Sequence, residues 1–159
     1  MVVGAYSARD DVVFGTVLSG RLQALAGADQ MLGAFINTLP VRLSLNDDCE
    51  TTLKRFHQML CELVCYEQYP LVEAQAFSHV DVGQPLFSAV LNYRHSGLSV
   101  EQRKKVLVPS GIELLKLNER TNYPFTLCVD DFDLGFDLLV QIDQSNQGDR
   151  VMELSLIHI

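Results

Sequence analysis

The stretch Leu32-Gly33-Ala34-Phe35-Ile36-Asn37-Thr38-Leu39-Pro40-Val41-Arg42 carries the most information about the fold. Apolar and β-branched residues are frequent from Phe35 to Leu45, which predicts a β-strand. Pro40 lies inside this segment, and proline removes one backbone hydrogen-bond donor from a sheet. The strand is therefore predicted to lie at an edge of the sheet or to contain a bulge. Gly33 precedes the strand and permits a turn with positive φ.

Elements of regular structure are predicted on both sides of this strand. Upstream, Val12 to Leu18 is rich in β-branched residues and ends at Ser19-Gly20, which predicts a buried strand followed by a turn. Residues 20 to 33 predict an irregular or loosely helical connection. Downstream, Asn46-Asp47-Asp48 offers capping residues for a helix from about Glu50 to Tyr66. Its apolar stripe is formed at three- and four-residue spacing by Leu53, Phe56, Leu60, Leu63 and Val64.

The second half of the chain predicts a mixture of one helix and several strands. A short helix is expected from Leu71 to Phe77, after Pro70. The further strands are expected at Pro85–Tyr93, Ile112–Leu117, Phe125–Val129 and Phe136–Ile142, and the last two form a β-hairpin with a longer loop. Because strands and helices do not alternate regularly, the pattern favours an α+β layer structure over a doubly wound sheet.

Composition excludes several classes of function. The chain has 159 residues, 48% of them hydrophobic and 20% charged, which is typical of a globular domain. The net charge of −8 disfavours binding to nucleic acid, because phosphate backbones repel an acidic chain. No apolar run reaches the roughly 18–20 residues that span a bilayer, and the N-terminus lacks the features of a signal peptide. We therefore expect a cytoplasmic protein whose four cysteines are free thiols.

Residue spacing alone indicates no active site. His57, Cys61 and Cys65 are spaced to lie along one helix face, but structural zinc normally needs four ligands, so no metal site is predicted. Phosphate-binding glycine motifs and the Gly-x-Ser-x-Gly motif are absent. His79 and His95 are expected beside loops, as surface or hydrogen-bonded polar residues. Asp130-Asp131 is expected in the hairpin loop, where acidic residues favour turns.

The last six residues, Leu154-Ser155-Leu156-Ile157-His158-Ile159, match one reading frame of a common sequencing adapter. We interpret residues 154–159 as a sequencing-adapter scar and residues 1–153 as the domain. The alternative is a natural apolar tail. With the scar, Met1 is equally interpreted as an arbitrary start, and the chain as a fragment cut on both sides.

The opening stretch resembles a motif of the condensation domains of nonribosomal peptide synthetases, Ile/Val-Gly-x-Phe-Val/Ile-Asn-Thr-x-x-x-Arg. The matching positions are Gly33, Phe35, Asn37, Thr38 and Arg42. The preceding segment, residues 11–21, resembles the family's strand and turn and ends at Gly20 and Arg21. Tyr66 to Glu73 stands, in degenerate form, where the family has His/Asn-Gln-Asp-x-Pro-Phe-Glu.

Two later segments extend the resemblance across residues 10 to 152. Residues 85–94 resemble the next family strand. Residues 118–127 resemble the late Arg-x-x-x-Asn/Tyr/Phe-Pro-Phe/Leu motif, with Arg120 and Pro124 as motif positions. The motifs occur in the family's order and at similar spacing.

The resemblance implies a chloramphenicol-acetyltransferase-like two-layer α/β sandwich, of which this chain is the C-terminal lobe. Such domains join a donor acyl or peptidyl thioester to an acceptor aminoacyl thioester, and each substrate is tethered to the phosphopantetheine arm of a carrier protein. The implied partners are the N-terminal lobe in cis, the upstream and downstream carrier domains and an adenylation domain. No cofactor is expected to bind the chain directly.

The family's catalytic His-His-x-x-x-Asp-Gly motif belongs to the N-terminal lobe, and this chain contains no His-His pair. No catalytic residue is therefore assigned, and the isolated fragment is expected to be inactive. Gly33, Phe35, Asn37, Thr38 and Arg42 are expected near the floor of the substrate tunnel or as local structural anchors. Asn37 is suited to holding a neighbouring backbone, and Arg42 to holding carbonyls or a carboxylate across the lobe junction.

Two alternative functions remain open at this point. One is a noncatalytic condensation-like domain that docks carrier proteins. The other is a related acyltransferase that uses a free alcohol or amine as its acceptor.

Overall fold

The computed structural model describes residues 2–22, 27, 30–81, 83–95, 120–132 and 135–143. The helices are α1 (Val2–Ser7), α2 (Cys49–Val64) and α3 (Leu71–Phe77). The strands are β1 (Asp11–Leu18), β2 (Asn37–Ser44), β3 (Ala89–His95), β4 (Phe125–Asp131) and β5 (Phe136–Ile142).

The strands form one mixed sheet in the order β2-β1-β3-β4-β5. The three inner strands run parallel to one another, and each outer strand runs antiparallel to its neighbour. Among the strands that the structure describes, β2 is an outer one, in which Pro40 pairs with Gly15, and this agrees with the predicted edge position of Pro40. The ladder continues without a bulge from Asp11–Ser44 to Leu18–Asn37. A mixed sheet with packed helices confirms the predicted α+β class.

The core lies between the helices and the sheet and is centred on β2. Leu39, Val41 and Leu43 alternate along this strand and are all buried, as expected when one face of a strand packs against other elements. The helices α2 and α3 both contact β2, while α1 contacts β1. The rings of Phe14 and Phe56 lie 6.2 Å apart between their centroids and join α2 to the sheet.

Several sequence-based boundaries need correction. Leu53 is 64% exposed and does not belong to the apolar stripe of α2, whereas Thr52 is buried there. Helix α2 ends at Val64 rather than Tyr66. The strand expected from Pro85 begins at Ala89. Helix α1 was not predicted, and the expected strand at residues 112–117 and the tail at residues 154–159 lie outside the described residues.

The acidic pair Asp130-Asp131 also lies elsewhere than expected. Both residues belong to β4 rather than to the hairpin loop, which follows them. Arg94 donates two hydrogen bonds of 2.8 Å to Asp130, and His95 contacts Asp131. The prediction that these two aspartates occur here because they favour turns was therefore wrong. Both carboxylates have basic partners on the adjacent strand β3.

The predicted N-cap of α2 is present at Asp48. Its Oδ1 accepts a hydrogen bond of 3.0 Å from the backbone N–H of Thr51, and its Oδ2 accepts one of 2.7 Å from the Thr51 hydroxyl. The hydroxyl hydrogen bond, followed by the backbone one, lowers the pKa of the Asp48 carboxyl. Folding therefore favours the ionised form of Asp48.

Replacing Asp48 by alanine is expected to lower the thermal midpoint and to fray the first turn of α2, because an acceptor for helical N–H groups is lost. The charge contributes stability above about pH 4, the ordinary pKa of an aspartate, and the contribution is lost as the pH falls through the lowered pKa. Asp48→Asn keeps an acceptor without a charge and should show a weaker acid dependence. Circular dichroism melts from pH 2.5 to 7 measure both effects, and parent-like melts for Asp48→Ala would contradict this account.

Candidate functional site

Asn37, the first residue of β2, joins this strand to the segment that follows α2. Its Nδ2 donates hydrogen bonds of 2.9 Å to the Glu67 carbonyl and 2.8 Å to the Tyr69 carbonyl. Its Oδ1 accepts a hydrogen bond of 2.9 Å from the Thr38 backbone N–H. Asn37 therefore holds a neighbouring backbone through its donors, as expected from its amide chemistry.

Gly20 brings the turn after β1 against the segment that leads into β2. Its φ is +70°, and a Cβ at this position would lie 1.8 Å from the Phe35 carbonyl oxygen. Only glycine fits so close an approach in this conformation. The Gln68 side-chain amide donates a hydrogen bond to the Gly20 carbonyl, so the segment after α2 also reaches this turn.

Arg21 crosses the same region and holds the segment before β2. Its Nη1 donates a hydrogen bond of 2.8 Å to the Met31 carbonyl, and its Nη2 donates one of 3.1 Å to the Gly33 carbonyl. Its guanidinium carbon lies 4.4 Å from the centroid of the Phe35 ring, a cation–π arrangement. We call Gly20, Arg21, Gly33, Phe35, Asn37 and Gln68 the motif cluster.

Thr38 and Arg42 point to other parts of the sheet. A Cβ added at Gly15 would lie 2.9 Å from the Thr38 methyl group, so Thr38 packs against β1. Arg42 lies five residues after Asn37, which corresponds to about 17 Å along a strand, and it is not part of the motif cluster.

Arg42 binds the carboxylate of Asp11, on the adjacent strand β1. Arg42 Nη2 lies 2.7 Å from Asp11 Oδ2, and both side chains are more than half exposed. The hydrogen bond from Arg42 lowers the pKa of the Asp11 carboxyl. An exposed pair of this kind contributes little to stability.

Arg120 and Pro124 lie just before β4. The start of β4 is at the end of the parallel strands opposite to the motif cluster. The ring of Tyr123 stacks on the buried Phe87 with centroids 5.5 Å apart, and the Thr121 and Thr126 hydroxyl oxygens lie 2.9 Å apart. The Asp143 backbone N–H donates a hydrogen bond of 3.0 Å to the Pro124 carbonyl. These contacts fix the entry into β4, and the exposed Arg120 lines an open cleft beside them.

The thiol and imidazole groups of α2 lie on an exposed face. His57, Cys61 and Cys65 are all exposed, and His57 Nε2 lies 3.7 Å from Cys61 Sγ. Within the described part of the chain, no three His, Cys, Asp or Glu side chains come together in a way that could hold a metal ion.

Sequence reasoning missed Glu67 and Gln68 as members of this region. Glu67 has a carboxyl side chain, yet the residue is only 1% exposed, and its backbone carbonyl is one of those held by Asn37. The pKa of the nearby Tyr69 is raised, first by burial and then by the Glu73 carboxylate, which accepts a hydrogen bond from the Tyr69 hydroxyl. In the sequence, the feature that pointed to these two residues was the degenerate motif at residues 66–73, which stands in the expected order and keeps Pro70 of the family pattern.

Residues 1–147 match the family model described as "Condensation domain". The chain belongs to the condensation-domain family. Malpinin synthetase of Mortierella alpina is 40% identical over 150 residues, which cover 94% of this chain and 2% of that protein. A linear gramicidin synthase of Brevibacillus parabrevis is 38% identical over 149 residues, which cover 91% of this chain and 3% of that protein. The chain thus spans a few percent of the length of these synthetases. It belongs to the condensation domains of nonribosomal peptide synthetases.

Solved structures confirm the fold of this condensation-domain chain. The condensation domain of a monacolin K polyketide synthase aligns with a TM-score of 0.65 at 20% identity, over 99% of this chain and 37% of the solved one. The epimerization domain from the third module of tyrocidine synthetase B aligns with a TM-score of 0.61 at 12% identity, over 98% and 36%. The matched share is consistent with one lobe of a two-lobed domain.

The motif cluster is therefore built from condensation-family positions. Two separate family segments supply five of its residues and meet at the end of β1 and the start of β2: Gly20, Arg21, Gly33, Phe35 and Asn37.

Among the described residues, none of the helices has the length and apolar character needed to cross a membrane.

Proposed function

We propose that this chain works as the C-terminal lobe of a condensation domain that forms a peptide bond. In this reaction the amine of an acceptor aminoacyl thioester attacks the carbonyl carbon of a donor acyl or peptidyl thioester. The C–N bond forms, the C–S bond breaks, and the donor thiol leaves. The observation that supports this function is the match of residues 1–147 to the family. In addition, five of the motif positions, Gly20, Arg21, Gly33, Phe35 and Asn37, assemble into one cluster.

The proposed role of the lobe is to form one wall of the substrate site. Asn37, Gln68 and Arg21 supply side-chain hydrogen bonds to the backbone of three different segments. Such cross-links reduce the number of conformations that loops at a sheet edge can adopt. A rigid edge is what a site needs in order to hold two substrates in a productive geometry.

The proposed partners are carrier domains, whose phosphopantetheine arms deliver both thioesters, a neighbouring adenylation domain and the N-terminal lobe. The catalytic His-His-x-x-x-Asp-Gly motif is assigned to that lobe, since these 159 residues contain no His-His pair. The proposed compartment is the cytoplasm. This proposal is supported by the four cysteines, which form no disulfide and three of which are exposed. Exposed thiols of this kind stay reduced in a reducing compartment.

A hybrid domain tests this function and the dependence on carrier arms. Residues 1–147 replace the matching segment of malpinin synthetase, next to that protein's own N-terminal lobe. Donor and acceptor carriers are supplied either with or without phosphopantetheine. We expect dipeptide from the hybrid only with loaded arms, and none from the isolated chain. Dipeptide from the isolated chain, or from carriers without arms, would contradict the proposal.

A further inference from the structure

Four side chains form a continuous ridge along the outer face of α2 and its C-cap residue. Leu53, His57, Cys61 and Cys65 follow one another at four-residue spacing, and all of them are exposed. Side chains at this spacing lie in one row on the surface of an α-helix. The row, which we call the α2 ridge, therefore presents one imidazole and two thiols, all metal-ligating groups, to the solvent.

His57 and Cys61 lie at the separation that a tetrahedral zinc ion requires. With a Zn–N distance of about 2.1 Å and a Zn–S distance of about 2.3 Å, a tetrahedral angle places the two ligand atoms about 3.6 Å apart. His57 Nε2 lies 3.7 Å from Cys61 Sγ. These two atoms can therefore bind one ion while the helix keeps its backbone conformation. The net charge of −8 also attracts cations to the chain.

One copy of the chain supplies only half of a closed zinc site. Structural zinc has four protein ligands, and within the described residues no third His, Cys, Asp or Glu side chain joins this pair. Cys65 lies eight residues from His57, about 12 Å along the helix axis. Its thiol is directed at the Cys61 carbonyl oxygen, 3.9 Å away. A closed site thus needs two further ligands from another molecule.

The α2 ridge is complementary to a second copy of itself. The midpoint between His57 and Cys61 is also the midpoint between Leu53 and Cys65, at the height of Met59. Two copies of α2 that pack antiparallel about a twofold axis at this height therefore place His57 of each copy beside Cys61 of the other. Leu53, which is 64% exposed in the single chain, then faces Cys65 of the other copy, and a free cysteine packs as a small apolar residue.

The charged residues beside the α2 ridge fit the same arrangement. Lys54 and Glu62 each follow a ridge residue by one position, so they lie on the same flank of the helix, and both are exposed. The twofold axis reverses the direction of this flank in the second copy and brings Lys54 of each copy within about 3 Å, along the axis, of Glu62 of the other. Lys54 contacts Glu50 in the single chain, and an exposed pair of this kind is exchanged at little cost.

We propose that His57 and Cys61 bind one zinc ion together with the same two residues of a second copy of the chain. Two thiolates and two imidazoles then form a tetrahedral site that joins two antiparallel α2 helices. Each Cys61 thiol releases its proton to solvent on binding, because the thiolate is the ligand, and each His57 binds as a neutral imidazole through Nε2. The inference goes beyond the function proposed above, because neither residue belongs to the motif cluster.

The oligomeric state in the presence and absence of zinc tests the site. The full 159-residue chain, kept reduced with a phosphine, is analysed by size-exclusion chromatography with light scattering after addition of Zn²⁺ or of EDTA. We expect a dimer that holds one Zn²⁺ per two chains, and a monomer after EDTA. A chain that binds no zinc, a monomer that binds one ion by itself, or a dimer that persists in EDTA would each overturn the proposal.

Substitutions along the α2 ridge identify the ligands. Cys61→Ser and His57→Gln should each abolish the dimer and weaken zinc binding by more than about 100-fold, because loss of a group that only orients a ligand already weakens binding by about 10- to 100-fold. Cys65→Ser is the matched control, one turn further along, and should keep one zinc ion per dimer. Circular dichroism verifies that each variant remains folded. If Cys65→Ser lost zinc as completely as Cys61→Ser, the two thiols would be the ligands, and the proposal would be wrong.

Cobalt in place of zinc reports the geometry of the site directly. Tetrahedral Co²⁺ bound by thiolates gives intense visible bands and a sulfur-to-metal charge-transfer band, whereas hydrated octahedral Co²⁺ absorbs weakly. We expect the tetrahedral spectrum, saturated at one Co²⁺ per two chains and lost in Cys61→Ser. A weak octahedral spectrum of the dimer would contradict coordination by two thiolates and two imidazoles.

Discussion

Replacing Gly20 by alanine is expected to destabilise the fold by about 4 kcal/mol, because the added methyl group meets backbone atoms and the left-handed backbone disfavours alanine. The added Cβ would lie 1.8 Å from the Phe35 carbonyl oxygen and 2.7 Å from its carbon, both of them backbone atoms. Neither atom can move without displacing the segment that Arg21 holds at Gly33. The left-handed φ of +70° adds a further penalty for alanine.

Gly27→Ala is the matched control for this prediction. Gly27 also has a left-handed φ, of +88°, but a Cβ there meets no atom within 4 Å. Its substitution should therefore cost only the conformational term, about 1 kcal/mol. Urea unfolding followed by circular dichroism measures both changes. Equal destabilisation by the two substitutions would show that steric contact with Phe35 is not what requires glycine at position 20.

Asn37→Ala is expected to destabilise the chain by about 3 kcal/mol, because two backbone carbonyls lose a donor at a partly buried position. The carbonyls are those of Glu67 and Tyr69. Asn37→Asp should be at least as harmful, because it keeps the acceptor for Thr38 but turns a carboxylate oxygen towards both carbonyls.

The control for Asn37 is Asn46→Ala, which removes an exposed amide whose partner is the Ser44 hydroxyl at 3.3 Å. A change within about 0.5 kcal/mol is expected there. The same urea experiment applies to all three variants. If Asn37→Asp were as stable as the parent, the two carbonyl hydrogen bonds could not be what holds the segment after α2 in place.

Local signals were sufficient to predict most of the regular structure. Val12–Leu18 and the hairpin strands could be predicted because residues suited to strands are followed by turn residues. Pro40 identified an edge strand because its missing donor cannot be accommodated inside a ladder. The N-cap of α2 followed from Asp48, whose partner Thr51 lies three residues away. Each of these signals is contained within a few residues.

Features that depend on distant contacts could not be predicted in this way. His95 and Asp131 are 36 residues apart in sequence, and only the parallel pairing of β3 with β4 brings them together. Leu53 matches the helical spacing of the apolar stripe but faces solvent, because the position of α2 on the sheet, and not periodicity, selects the buried residues. The family resemblance identified Asn37, but its partners at residues 67 and 69 required the fold.

The most direct test of the central claim is single-turnover dipeptide formation by the hybrid domain with both carriers loaded. In this hybrid, residues 1–147 replace the matching segment of malpinin synthetase. We expect it to form dipeptide at a rate within about tenfold of the natural domain. A tenfold change in rate corresponds to about 1.4 kcal/mol in the activation barrier. A folded hybrid that receives both loaded carriers and forms no dipeptide would contradict the claim that this chain is a working lobe of a condensation domain.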